Sequence, residues 1–544
     1  MRPKKATWKA DAGFVRFLLK RGADFRLTAH VDYGAWYEHH GLSSALSSGD
    51  LDKVKALLEA GADIRYVRKG GFDALMDAAM SAPGGPRAKE ARLKARHRSL
   101  LEFLLTEGVP VSGKSEKGQT ALTILSKHTA LEAAQLLVRA GADEAPLKWT
   151  PLHKAVAYGT PGDVAARLEA DEPLEPKDHD GRTPLVLAVQ LGELEKAKLL
   201  AGRGADKDAR WLEKFSLLEL AVSEGHAKLV EWLAAGGADV DAESEYGFTP
   251  LTNAVMSGST ELVKILLAAG ADVHKAGKHG AAPMKEADTL PMIRLLSDAG
   301  ADTGALSNAG RRAYVGLPPD ADIELLTASP EEYARAKHPR RGEANPEEAV
   351  EPFWTAMLRA GVNAYSAKEK YGDKSAPVWC AERFGQSLTS LPDGRILLIG
   401  GEHEDGYMPD FYIYNDVFVF EPGGKVRVFL YSDQTFPPTD GHSATLAGDW
   451  VYVIGNVGYQ DAREEGVTPV YRLNTKTLSI EQVATSGANP GWIGRHRARL
   501  IGSRIEVVGG QVHRVVDGKR ALVKNEESYS LDLADLTWHR RTPP

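Results

Sequence analysis

The sequence predicts a multidomain repeat protein: an all-α solenoid of stacked helical pairs followed by an all-β, propeller-type region. Two observations predict this fold class. A helical signature in the first part returns at steps of 33 residues, and a short apolar strand signature in the last part returns after 55 and then 54 residues. A chain of 544 residues has room for roughly three or four ordinary domains.

Two markers carry the helical repeat. The first is Thr-Pro-Leu, at Thr150, Thr183 and Thr249, where a threonine N-cap precedes a proline in the first helical turn. The second is Gly-Ala-Asp, in which glycine ends a helix in the left-handed conformation and a leucine stands four residues earlier. Its glycines are Gly22, Gly61, Gly141, Gly204, Gly237, Gly270 and Gly300. Each helical pair is too small to bury its apolar face alone, so neighbouring pairs must stack.

These markers resemble the ankyrin repeat family. The resemblance covers residues 9–315 or so and implies about nine repeats with degenerate ends, and we expect a solenoid domain over 1–315. It further implies that turn-bearing fingers face a concave side on which proteins of this family grip partners. The function expected from it is a protein–protein interaction scaffold, with a protein partner that the sequence does not identify.

Candidate partner-binding residues lie in the fingers. The position before the Thr marker is occupied at steps of 33 by an aromatic residue or arginine, and two more aromatic residues lie nearby. The set comprises Trp149, Arg182, Trp211, Phe215, Tyr246 and Phe248. Aromatic and arginine side chains dominate the binding energy of many interfaces, which favours a binding role. The alternative is that these side chains pack finger against finger, and the sequence leaves both open.

The helical period ends after Gly310. A charged, proline-bearing stretch over 316–350 predicts a linker. The apolar spacing that follows predicts a docking helix within 351–378, and the β region is expected over 379–544.

Three segments repeat in the β region: Arg395–Gly401, Trp450–Asn456 and Arg504–Gly510, each a short apolar run that ends at glycine or asparagine. They resemble kelch-type repeats of β-propellers, including galactose-oxidase relatives, and imply three blades. Because propellers normally have four to eight blades, three cannot close a ring. The exposed sheet edges must then be covered, by self-association or by docking on the helical stack. The β region is therefore a candidate second docking surface.

A possible metal site in the β region comprises His403, Asp410, His442 and His496, of which the last two hold equivalent places in successive repeats. The alternative is that they are loop residues bonded to neighbouring blades. The lone Cys380 does not provide the cysteine, tyrosine and histidine set of copper oxidases, and no cofactor is expected. Catalysis is not expected either, although a metal-binding or enzymatic β domain targeted by the helical repeats is the alternative function.

The formal net charge of −7 does not favour nucleic acid as a partner. No apolar run reaches the length of a membrane span, and the N-terminus lacks the pattern of a cleaved signal peptide. A cytoplasmic location follows as the expectation, with export as a secreted effector as the alternative.

Overall fold

The computed structural model describes residues 12–24, 41–82, 91–211, 215–278, 280–373, 378–405, 408–516 and 519–541. The chain divides into two compact units, Met1–Pro283 and Met284–Pro544. The predicted fold class is confirmed: helical pairs fill the first unit, and antiparallel sheets fill most of the second.

The first unit consists of short helices in pairs. In chain order they are α1 (Ala12–Lys20), α2 (Gly41–Ser47), α3 (Leu51–Glu59), α4 (Ala74–Ala79), α5 (Ala91–Thr106), α6 (Ala121–Lys127), α7 (Leu131–Arg139), α8 (Pro151–Tyr158), α9 (Pro161–Glu169), α10 (Pro184–Leu191), α11 (Leu194–Gly202), α12 (Leu217–Ser223), α13 (Ala227–Ala235), α14 (Pro250–Met256) and α15 (Thr260–Ala268). A small hairpin, β1 (Val67–Arg68) and β2 (Phe72–Asp73), forms one finger.

Both sequence markers act as predicted. The Thr183 side chain accepts a hydrogen bond from the backbone N–H of Val186 at 3.3 Å and so caps α10. At the other end of a pair, Gly270 has φ +91°, and the N–H of Ala271 donates to the carbonyl of Leu266 at 3.0 Å. The stacked core is made by leucines of both helices, among them Leu152, Leu185, Leu200, Leu218, Leu251 and Leu266, none more than 1% exposed.

The second unit begins with the last helical repeat, α16 (Pro283–Glu286), α17 (Leu290–Asp298) and α18 (Asn308–Tyr314). The division between the two units therefore falls within the helical repeats. The reason is that α18 bonds to the β region: Asn308 donates to the Glu382 carboxylate at 2.7 Å, and Tyr314 bonds to Ser390 at 2.9 Å.

The stretch 316–350, expected to be a linker, contains α19 (Pro330–Ala336) and strand β3 (Glu347–Ala349). Pro330, one of the prolines that suggested a linker, lies in the first turn of α19, where Ser329 and Glu332 form a capping box. The single docking helix expected within 351–378 is two helices, α20 (Pro352–Ala360) and α21 (Ala364–Tyr371), because Gly361 ends the first at φ +63°.

The β region contains three four-stranded antiparallel meanders, one for each predicted blade. Blade 1 comprises β4 (Ser387–Ser390), β5 (Ile396–Ile399), β8 (Val417–Phe420) and β9 (Val426–Leu430), with hairpin β6 (Glu402–Asp405) and β7 (Met408–Ile413) inserted after β5. Blade 2 comprises β10 (Ser443–Ala447), β11 (Trp450–Ile454), β12 (Val470–Asn474) and β13 (Ile480–Gln482).

Blade 3 comprises β16 (Arg497–Ile501), β17 (Arg504–Val508), β20 (Ser528–Asp532) and β21 (Thr537–Arg541). The short strands β14 (Ser486–Gly487) and β15 (Ile493–Gly494) precede it, and the hairpin β18 (Gln511–Val516) and β19 (Lys519–Lys524) is inserted after β17. Two added strands cover outer edges: β3 pairs with β9 in blade 1, and β14 pairs with β21 in blade 3.

The blades pack face to face through the alternating side chains of β11. Val451 and Val453 belong to an apolar cluster shared with blade 1, whereas Tyr452 and Ile454 belong to a second cluster shared with blade 3. The other face of blade 1 is covered within its own unit by Trp354 of α20, which stacks on Trp379 with ring centroids 4.8 Å apart. Trp379 itself lies outside the strands.

Candidate partner-binding surface

The first two candidate residues are structural. Arg182 is fully buried; it pairs with the Asp178 carboxylate at 2.7 Å and also donates to Ser126 and Gln190. Trp149 is 9% exposed, and its indole N–H donates to Asp178 at 3.1 Å. Because these contacts bury both side chains, we exclude Arg182 and Trp149 from the candidate binding surface.

The next fingers carry aromatic rings that differ in exposure, and the indole N–H of Trp211 donates to the carbonyl of Asp180 in the preceding finger at 3.0 Å. Trp211 and Phe215 are half-buried and are joined by an antiparallel β-bridge, with ring centroids 6.0 Å apart. The ring of Tyr246, from the following finger, lies 5.8 Å from that of Phe215, and Tyr246 is 54% exposed. We call Trp211, Phe215 and Tyr246 the aromatic ladder. Phe248 is half-buried beside it, and its N–H donates to the Ser244 side chain at 3.1 Å.

Beneath the fingers, a polar side chain at one repeat position bonds to the next repeat in two of the repeats. His153 donates from Nε2 to the carbonyl of Arg182 at 3.0 Å, and Thr252 donates to the carbonyl of Ala281 at 3.4 Å. Each pair is 29 residues apart. In the two repeats between them the position is held by Val186 and then Glu219, and the carbonyl 29 residues after Glu219 belongs to Phe248.

The Glu219 carboxylate is fully buried. Its Oε2 accepts a hydrogen bond from the Ser216 N–H at 2.8 Å, whereas Oε1 is buried without a hydrogen-bond partner in the described part of the chain. Burial raises the pKa of this carboxyl above its ordinary value, and the two hydrogen bonds from Ser216 oppose that shift only in part. The carboxyl thus lies under the ladder in an environment that favours its neutral form.

Two of the candidate metal ligands, His442 and His496, form hydrogen bonds between neighbouring blades. The Nε2 atom of His442 forms a hydrogen bond with the Ser387 hydroxyl of blade 1 at 2.8 Å, and that of His496 forms one with the Ser443 hydroxyl of blade 2 at 2.9 Å. Each histidine therefore joins its blade to the preceding one. Burial lowers the pKa of His442 to about 3 and that of His496 to about 4, so both rings are neutral at physiological pH.

The other two candidate metal ligands are His403 and Asp410. His403 is buried, and the side chain of Asp410 lies outside the described residues. Among the residues whose side chains are described, no group of three His, Cys, Asp or Glu could hold a metal ion. Cys380 is fully buried, and burial raises the pKa of its thiol to about 11.

Sequence reasoning missed a cavity of about 260 Å³ in the second unit. It lies between α18, the end of α20 and blade 1, and its polar lining includes Arg311, Arg312, Glu382 and Gln386. These residues come from segments far apart in the chain, and no local pattern marks them. The exposure of Tyr246 was likewise not readable from the repeat, which fixes a position but not its neighbours.

The fold and the finger geometry are those of ankyrin repeats. Residues 144–210 and 213–306 match the family model described as ankyrin repeats (3 copies), so the chain carries this repeat in its helical part. The C-terminal β region is similar to part of a kelch protein.

Kelch domain-containing protein 3 of Homo sapiens is 32% identical over 141 residues, which are 26% of this chain and 35% of that protein. Neurogenic locus notch homolog protein 1 of Mus musculus is 27% identical over 192 residues, 34% of this chain and 8% of that protein. The chain thus spans about a third or less of the length of these relatives.

Among solved structures, the human ASB11 ankyrin repeat domain is 19% identical with a TM-score of 0.24, covering 48% of this chain and 98% of that one. The ankyrin repeat domain of Bcl-3 is 24% identical with a TM-score of 0.23, covering 47% and 97%. Finally, no helix in the described residues is both long enough and apolar enough to cross a membrane.

Proposed function

We propose that this protein is an interaction scaffold that binds a protein partner through the aromatic ladder of its ankyrin fingers. The observation that carries the proposal is the exposure of Tyr246, 54%, at the end of a row of rings about 6 Å apart. Large aromatic rings left open to water in adjoining repeats favour a binding surface, because an aromatic anchor buried in an interface contributes much of its affinity. Phe248, which is half-buried, is proposed as a further residue of this binding surface.

The test is comparative affinity purification with the full chain and two variants. Tyr246→Ala removes the most exposed ring of the ladder, and Val67→Ala removes an apolar side chain of greater exposure (68%) from another finger. The proposal expects one partner to be captured by the parent chain and by Val67→Ala and to be depleted at least tenfold by Tyr246→Ala. Equal capture by all three proteins contradicts it.

The β region is proposed as a second docking or self-association surface. In blade 3, Leu500 and Ile501 of β16 are 40% and 46% exposed, and β16 is the last strand of its sheet on that side. An exposed apolar edge strand is a template for pairing with another chain. Repeating the purification without residues 345–544 tests the docking role: a partner lost with the deletion but kept by Tyr246→Ala binds the β region.

The alternative, a metal-binding or enzymatic β domain, would require metal to bind near His442. Calorimetric titration of the full chain with zinc, copper or manganese tests it, with His442→Ala as the comparison. Stoichiometric binding that disappears in the variant favours the alternative, and the absence of a heat signal, or an unchanged one in the variant, removes it.

A further inference from the structure

The finger that carries Tyr246 is the most acidic of four successive fingers. Residues 239–248 contain four acidic residues and no lysine or arginine, which gives a formal charge of −4. The corresponding charges are −1 for 173–182, 0 for 206–215 and +1 for 272–281. The negative charge is therefore concentrated in the finger that carries Tyr246, whereas the finger that carries Trp211 and Phe215 is neutral.

Two of these carboxylates hold the finger together, and another is free to face a ligand. Asp239 accepts a hydrogen bond from the N–H of Asp241 at 3.0 Å, and Asp241 accepts one from the N–H of Asp272 in the next finger at 3.0 Å. Glu243 is exposed and forms no ion pair with any described residue. Its charge lies three positions from Tyr246.

In the part of the chain that the structure describes, the ring faces of the ladder are not covered by the protein's own cations. Elsewhere Arg472 lies over Trp450 at 4.2 Å and Arg427 over Phe429 at 4.7 Å from the ring centroid. Within the described residues, no lysine or arginine lies over a ring of the ladder. An open aromatic face with a carboxylate nearby attracts a cationic side chain.

The spacing of the rings fits an extended chain. The ring centroids are separated by 6.0 Å and 5.8 Å. Alternate side chains of an extended peptide point the same way and repeat about every 6.6 Å. An extended segment lying along the ladder would therefore place every second side chain against a ring.

From the charge of its finger, the exposed ring of Tyr246 and the spacing of the rings, we propose that the ladder binds an extended segment of its protein partner that carries an arginine or lysine against Tyr246 and apolar side chains at the alternate positions against Phe215 and Trp211. The inference rests on the proposed function and specifies the partner's chemistry. A cationic side chain stacks on the Tyr246 ring with Glu243 as its counter-ion, and apolar side chains or stems cover Phe215 and Trp211.

The probe is a random-peptide phage library selected against the immobilised full chain. Enriched peptides are expected to carry one lysine or arginine followed or preceded, at alternate positions, by two apolar residues. Their affinity, measured by fluorescence anisotropy with synthetic labelled peptides, should fall steeply as the salt concentration rises, because surface charge attraction is screened.

Three variants separate the contributions of ring and charge. Tyr246→Ala should weaken binding of the enriched peptides by about tenfold or more, as for the loss of an aromatic anchor. Glu243→Lys should weaken it by roughly fivefold or more at low salt. The matched control is Glu231→Lys, which makes the same charge change on the exposed side of α13 in the same repeat and should change affinity by less than about twofold.

The outcomes separate this inference from the function on which it rests. Acidic or uncharged peptides that still require Tyr246 would overturn the inference of a cationic side chain and leave the ladder as a binding surface. Peptides that bind Tyr246→Ala as well as the parent chain would overturn both. Failure to enrich any peptide would also overturn the inference, because a linear extended segment is what it requires.

Discussion

The buried carboxyl of Glu219 provides a sharp test of the repeat-to-repeat contacts under the ladder. In Glu219→Gln the amide oxygen can still accept the Ser216 N–H, as Oε2 does at 2.8 Å. The amide N–H₂ adds a donor where Oε1 now has no partner in the described part of the chain, and by analogy with the His153–Arg182 and Thr252–Ala281 bonds we expect it to reach the carbonyl 29 residues on, that of Phe248. An unsatisfied buried polar atom costs about 1–3 kcal/mol, so the variant should be more stable by about 1–2 kcal/mol near neutral pH.

The sign of the pH dependence follows from the direction of the pKa shift. Burial raises the pKa of Glu219 in the folded protein. The neutral carboxyl therefore contributes stability that is fully present below the ordinary pKa of a glutamate and is lost as pH rises through the raised value. The stability gain of Glu219→Gln over the parent should accordingly be small near about pH 4 and largest near about pH 8.

Urea unfolding of the full chain, followed by far-ultraviolet circular dichroism at several pH values, measures this difference. Glu261→Gln, at an exposed position in the first turn of α15, is the matched control and should show no such trend. A Glu219→Gln variant that is less stable than the parent, or whose advantage does not change with pH, would refute the reasoning.

Three further predictions concern other contacts. Arg182→Met should lower the free energy of unfolding by about 3–5 kcal/mol by leaving Asp178 buried without its counter-ion, and adding Asp178→Asn should recover part of the loss in the same urea assay. His442→Gln together with His496→Gln should make the protein less sensitive to acid between about pH 6 and pH 4, because depressed histidine pKa values contribute stability that is lost as pH falls; an unchanged acid midpoint contradicts this. Leu500→Lys should reduce any concentration-dependent increase in mass seen by light scattering, and a parent chain of constant single-chain mass contradicts self-association through β16.

The helical half was predictable because its signals are local. A threonine cap, a proline in the first turn and a left-handed glycine each act within a few residues, and at Thr183 and Gly270 the structure uses them as the sequence predicted. The stretch around Ser329 was predicted to be a linker because its local signal is ambiguous, but it contains a helix. Proline is typical both of linkers and of a first helical turn, and only the Ser329–Glu332 capping box distinguishes the two.

The surface was only partly predictable, because burial depends on neighbours that the repeat position does not specify. Arg182 and Phe215 hold the same position 33 residues apart. Arg182 meets the buried Asp178 and turns inward, whereas Phe215 meets Trp211 and Tyr246 and remains half-exposed. Which rings face water was therefore decided by side-chain partners.

In the β region, too, the sequence indicated the repeat positions of side chains but not which side chains they contact. His442 and His496 hold equivalent places in two repeats, and each bonds through Nε2 to a serine hydroxyl. Their partners, the hydroxyls of Ser387 and Ser443 in the preceding blades, could not be read from the sequence, because those pairs are 55 and 53 residues apart.

The most direct test of the central claim is site-specific photo-cross-linking from the ladder. A photoreactive aromatic residue replaces Tyr246 in the full chain, and in a second protein it replaces Glu261, an exposed residue on the second helix of the following repeat. We predict that irradiation joins a protein partner to position 246 and not to position 261. Cross-linking from position 261 with none from position 246, or no cross-link from either while the partner stays bound, would contradict the account.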